Sequence, residues 1–108
     1  MTVHELATAC NLKVLVSPDP QREVDGVYIG DLLSWVMGKA CEGNAWITIM
    51  SNVNVIAVAT LSDVACVIFA EGVEPDAELI ALADTKGVNL LFSPLSAYET
   101  AIKIHGAL

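Results

Sequence analysis

The stretch Ala45–Phe92, AWITIMSNVNVIAVATLSDVACVIFAEGVEPDAELIALADTKGVNLLF, decides the fold. Ala45–Met50, Ala65–Phe69 and Val88–Phe92 are short apolar runs bounded by polar clusters, the pattern of buried strands. Between them, Val53–Leu61 and Asp76–Lys86 have helix length and spacing, the second with Pro75 near its first turn and Gly87 just past its end. Strand, helix, strand, helix, strand with connections of a few residues predicts parallel strands joined by right-handed crossovers. The strands around Cys66 and Leu90 are apolar on both sides, so helices must cover both faces of the sheet.

Upstream, Thr2-Val3-His4-Glu5 has capping-box spacing and predicts a helix from about Val3 to Asn11. Lys13–Val16 reads as a strand, Ser17–Arg22 as a loop, and Val24–Ile29 as a strand stopped by Gly30. Asp31 is the expected N-cap of a helix over Leu32–Ala40, which carries Leu32, Leu33, Val36 and Ala40 on one face and turns Trp35 and Met37 elsewhere. Downstream, Ser93-Pro94 reads as an N-cap and first-turn pair opening a C-terminal helix through Ile104. The expectation is one α/β domain over residues 1–108, a three-layer, mostly parallel five-stranded sheet with helices on both faces.

Composition narrows the function. The chain has 108 residues, 55% of them hydrophobic, with thirteen acidic against five basic residues and a net charge of −8; its mean hydropathy is +0.60. Without a Lys/Arg cluster it has no electrostatic footprint for nucleic acid or an anionic membrane. Ala45–Ala70 carries a single charge, Asp63, but two polar groups, Ser51-Asn52-Asn54 and Thr60-Ser62-Asp63, cut it below spanning length. The first residues lack the basic and apolar regions of a secretory signal, and Cys10, Cys41 and Cys66 are odd in number and widely spaced, which together suggest a reducing cytoplasm.

No reaction can be read from these residues. Gly38-Lys39-Ala40 lacks both the spacing and the hydroxyl of a phosphate loop. His4 and His105 lie at opposite ends and the cysteines form no ligand pair, so neither a metal nor another cofactor is expected, and no catalytic set is assigned. What remains is the rim at the carboxyl ends of the last three strands, where open α/β sheets bind ligands. Asn52, Asn54, Glu71, Gly72 and Ser93 are the candidate ligand-binding residues there. Glu71 opposes an anion and favours an amine, a ribose hydroxyl or a peptide N–H. Val53–Leu61 has no solvated stripe, and a partner subunit is the simplest cover for it. Trp35, Met37, Val55 and Ile56 are therefore the expected homodimer interface.

The runs GVYIGDLLSWVMGKA (26–40), AWITIMSNVNVIAVATLSDVACVIFAEGVEPD (45–76) and LLFSPLSAYETA (90–101) resemble the DRTGG-domain family, and its short stand-alone members above all. Such domains also occur in some CBS-domain pyrophosphatases and phosphotransacetylase-like proteins, and they resemble the N-terminal domains of HPr kinase/phosphorylase and of MurF-type ligases. The resemblance implies a five-stranded α/β domain serving redox or metabolic regulation, with a protein partner or a nucleotide or sugar-nucleotide effector, and without the kinase's phosphate-loop domain. Where the family has Asp-Arg and Thr-Gly-Gly, this chain has Ser51-Asn52 and Ala70-Glu71-Gly72. Loss of the arginine and gain of Glu71 remove the anion-binding character of that motif.

Overall fold

The computed structural model describes residues 1–108. At the N-terminus the reciprocal cap forms as its spacing predicts. Thr2 Oγ1 accepts the Glu5 N–H at 3.1 Å and Glu5 Oε1 accepts the Thr2 N–H at 2.9 Å, opening α1 (Val3–Ala9). The chain continues as β1 (Lys13–Val16), β2 (Val27–Ile29), α2 (Leu33–Lys39), β3 (Ala45–Thr48), α3 (Asn54–Ser62), β4 (Cys66–Phe69), α4 (Ala77–Lys86), β5 (Leu90–Phe92) and α5 (Ala97–Ala107).

The sheet order is β1-β5-β4-β3-β2. β2, β3, β4 and β5 are mutually parallel, and β1 joins β5 antiparallel with a bulge between Val14 and Val16. Alternation along the central strands divides the core in two. Ala45, Ile47, Cys66, Ile68 and Leu91 face α1 and α5, whereas Trp46, Val67, Phe69 and Leu90 face α2, α3 and α4. This is the expected three-layer α/β architecture.

Three local expectations change. The second strand contracts from Val24–Ile29 to Val27–Ile29, because the main chain before it is held elsewhere: Val24 N–H donates to the Met1 carbonyl and Asp25 N–H to the Gly43 carbonyl. Asp31 does not cap α2, whose N-cap is Leu32 with no side-chain bond. Its Oδ1 instead accepts from Thr48 Oγ1 and from the Ile49 N–H, both at 2.9 Å, tying the end of β2 to the end of β3. Ser93 does not cap α5. That role belongs to Ser96, which forms a second reciprocal cap with Glu99.

α3 is covered by its own chain. It lies on the sheet between α2 and α4, and Val55 and Ile56 are 0% and 1% exposed inside that layer. Neither can meet a partner, which corrects the interface expected of them. Three helices abreast on one face give the middle one neighbours on both flanks, so it needs no polar stripe of ordinary width. Its exposed residues are Asn54, Ala57, Thr60 and Leu61, with Val53 exposed just before it.

The thiols divide by burial. Cys10 and Cys66 are buried and Cys41 is exposed. Burial raises the Cys10 thiol and pushes Cys66 up to about 12 from an ordinary 9.0. A thiol-specific reagent at neutral pH is therefore expected to modify one cysteine in the native protein and three after denaturation. Because the folded pKa of Cys66 is raised, its contribution to stability is complete below the ordinary thiol value and is lost as pH climbs toward 12. A Cys66→Ala variant should show a shallower alkaline loss of stability in urea titrations.

Candidate functional site

The rim at the carboxyl ends of β2–β5 is built from four turns. After β3, Asn52 Oδ1 accepts the Asn54 N–H at 2.9 Å and the Asn52 carbonyl accepts the Val55 N–H at 3.1 Å. These bonds occupy the first donors of α3. After β4, Glu71 and Gly72 both take left-handed backbone, with φ of 59° and 73°. The Glu71 N–H reaches the Leu95 carbonyl at 2.7 Å, and Glu71 Oε2 accepts the Ala97 N–H at 2.8 Å. Asp76 Oδ1 accepts the Leu79 N–H and caps α4.

After β5, Ser93 is buried, its hydroxyl 2.8 Å from Thr100 Oγ1 and accepting the Leu95 N–H at 3.2 Å. Its main chain is also engaged, donating to the Phe69 carbonyl and accepting from Gly72. Ser93 is thus a link between β5 and α5 with no face for a ligand. Glu71 is turned onto the start of α5, where carboxylates are favoured, and caps that helix while remaining exposed.

The expected site residues therefore separate. Asn52, Asn54, Glu71 and Gly72 are exposed along the strand-end edge, and Ser93 is beneath it. The Asn54 amide makes no hydrogen bond within the chain, and Asn52 keeps its amide donors free. The starts of α4 and α5 are closed by the chain's own carboxylates and a hydroxyl and that of α3 by the Asn52 amide oxygen, and Asp31 adds another acid at the end of β2. An edge so arranged offers amides and one uncommitted Asp31 oxygen, and it repels phosphate. The sequence signal for Asp31 as a strand tie is a lone Asp set beside the polar Thr48 at adjacent strand ends. That for the α5 cap is the S-x-x-E spacing of Ser96 and Glu99.

Two concavities lie away from this rim. A groove of about 360 Å³ runs between α3 and α4, floored by Val53, Ala57, Leu61 and Leu82 with Lys86 at its edge. A polar hollow of about 400 Å³ involves Arg22, Glu23, Asp25 and Glu42. Its Arg22 is already bonded to the Asp63 carboxylate at 3.0 Å.

With this geometry in hand, comparison with known proteins is specific on one point: the DRTGG domain profile matches residues 5–107. The chain belongs to the DRTGG-domain family. No curated protein sequence matches it. Among solved structures it is similar to the CBS and DRTGG domains of the regulatory region of Clostridium perfringens pyrophosphatase, a structure determined with the activator diadenosine tetraphosphate. The TM-score is 0.73 at 14% identity, over 99% of this chain and 47% of that one. At that identity the likeness establishes the fold, and this DRTGG domain spans about half the length of that regulatory region.

The backbone at Glu71 is strained, since a left-handed φ of 59° is what glycine adopts freely and other residues at a cost of ~1–2 kcal/mol. The cap onto Ala97 offsets that strain. Glu71→Ala keeps the strain and loses the cap, and is expected to destabilise by about 1 kcal/mol in urea unfolding. Glu71→Gly loses the cap and releases the strain, and is expected to fall within about 0.5 kcal/mol of the parent.

Proposed function

We propose that this DRTGG domain is a non-catalytic regulatory module that works as a homodimer in a reducing cytoplasm, in redox or metabolic control. One observation carries the reading. Most of the rim's polar groups are engaged in caps and ties, whereas Leu32 at the start of α2 and Trp35 and Met37 within it are 61%, 60% and 51% exposed. Large apolar side chains held outward on a short helix suit contact with protein. The same reading sets the domain beside the N-terminal domain of HPr kinase/phosphorylase. Its homodimer expectation is tested by sedimentation equilibrium at micromolar concentration, where a mass of twice 11.4 kDa supports it and 11.4 kDa overturns it.

A second reading rests on the similar pyrophosphatase region, whose structure holds a nucleotide activator. Here an effector would lie against Asn52, Asn54 and Gly72, recognised through base or ribose hydrogen bonds. A thermal-shift panel of nucleosides and nucleotides tests it. Stabilisation by a nucleoside that Asn54→Ala abolishes supports the sensor reading. A response absent across the panel removes it.

A further inference from the structure

Asp25-Gly26 is the one Asp-Gly pair in the chain, and no asparagine precedes a glycine. The pair leads into β2 with both residues exposed, and Asp25 lines the polar hollow shared with Arg22, Glu23 and Glu42. The main chain is pinned on each side of it. The Asp25 N–H donates to the Gly43 carbonyl at 2.8 Å, the Asp25 carbonyl accepts Asn44 Nδ2 at 2.7 Å, and the Gly26 carbonyl accepts the Ala45 N–H at 3.0 Å. Two groups between these pins make no hydrogen bond within the chain: the Asp25 carboxylate and the Gly26 N–H. They are the acid and the nitrogen whose condensation closes a succinimide ring. Glycine sets no side chain beside that nitrogen, and it holds φ at 84° without strain. The other five aspartates lack the combination. Pro20 gives Asp19 no N–H. Asp31, Asp63 and Asp76 hold their carboxylates on Thr48, Arg22 and the Leu79 N–H, and Asp84 sits inside α4 ahead of β-branched Thr85.

We infer that Asp25 is a site of spontaneous isoaspartate formation, a covalent modification that needs no enzyme and no reactant except water. The Gly26 nitrogen attacks Cγ of the protonated Asp25 carboxyl, and the N–H proton and the carboxyl hydroxyl leave together as water. Water then adds to the main-chain carbonyl carbon of Asp25 and breaks its bond to the Gly26 nitrogen. The chain now runs through Cβ and Cγ, one methylene longer, with a free carboxylate on Cα. Nothing is oxidised or reduced, and the mass returns to its starting value. The pins give this small change a structural consequence. With Asp25 held at Gly43, the added methylene carries the Gly26 carbonyl away from the Ala45 N–H, next to the first pair of the ladder, Val27 with Ala45. β2 has only three residues and one strand neighbour, so isomerisation loosens the edge of the sheet from its first residue onward.

The test is prolonged incubation of the native protein at physiological temperature and mildly acidic pH, followed by peptide mapping. Isoaspartate is expected at position 25 at least about tenfold above any other aspartate, since only there does a glycine leave the attacking nitrogen unhindered. It is read as an isobaric peptide that resists cleavage before Asp25 by an aspartate-specific protease and accepts a methyl group from an isoaspartyl methyltransferase. Asp25→Glu, which would have to close a larger ring, is expected to stay unmodified with circular dichroism unchanged. Gly26→Ala does not serve as the control, because its Cβ would come within 3.1 Å of Asn44 Nδ2. In the isomerised fraction the Ala45 amide is expected to exchange faster than global stability explains. Native protein that stays unmodified at position 25 overturns the inference, and if the urea-unfolded chain isomerises there, the fold is what protects the pair. Isoaspartate rising as fast at another aspartate overturns it as well. An isomerised fraction with an unchanged Ala45 amide overturns the effect on β2.

Discussion

Trp46→Ala is expected to lower the unfolding free energy by about 3–5 kcal/mol, a large part of the ~5–15 kcal/mol that holds a domain of this size together. Trp46 is fully buried at the centre of the larger helical layer, among Val55, Val67 and Leu79. Its Nε1–H donates to the Gly30 carbonyl at 2.9 Å. Truncation opens a cavity under α2 and α3 and leaves that carbonyl without its donor. Equilibrium urea unfolding followed by circular dichroism measures the loss. Trp46→Phe refills most of the volume but not the hydrogen bond, and is expected to cost about 1–2 kcal/mol. The two variants therefore apportion the effect between packing and polar satisfaction.

Asn89→Leu is expected to cost about 2–4 kcal/mol for the opposite reason, since apolar burial rises and polar partners are stranded. The Asn89 amide sits just before β5, 2% exposed. Its Nδ2 donates to the Asp19 carbonyl at 2.8 Å and to the Ala65 carbonyl at 3.0 Å, and its Oδ1 accepts the Asp19 N–H at 2.9 Å and the Ser17 hydroxyl at 3.3 Å. One side chain thereby fastens the loop after β1 to the turn before β4. Hydrogen exchange adds a local readout: the Asp19 amide should lose protection in Asn89→Leu beyond what global destabilisation explains.

The chain is unevenly legible, and the unevenness has physical causes. The β3–α3–β4–α4–β5 segment declares itself because each strand pairs with the next crossover strand and every period is local. β1 gives no sign of its antiparallel partner, which lies across most of the sequence. Caps are harder than helices. Ser93 and Asp31 have residue types that cap, yet the backbone turns into helix a few positions later at Ser96 and at Leu32, and their oxygens go to Leu95, Thr100, Thr48 and Ile49 instead. The apolar excess of α3 is real, but whether a neighbour is intramolecular or intermolecular depends on the number of helices abreast, which no single helix encodes. Trp35 and Met37 remain outside the core as their helical positions require, whereas Val55 and Ile56 do not.

The position of β1 bears on the order in which the chain can acquire its structure. The four parallel strands wind up in sequence, each crossover seating the next strand beside the last, and need only neighbours close in the chain. β1 is made early and pairs with the last strand, Lys13 opposite Phe92 and Val14 opposite Leu91. Asn89 adds a second tie between the same two regions. During synthesis the first hairpin-length of this protein must therefore wait, unpaired, until almost all the rest has emerged. The entropic cost of closing so long a loop places β1 docking late in folding.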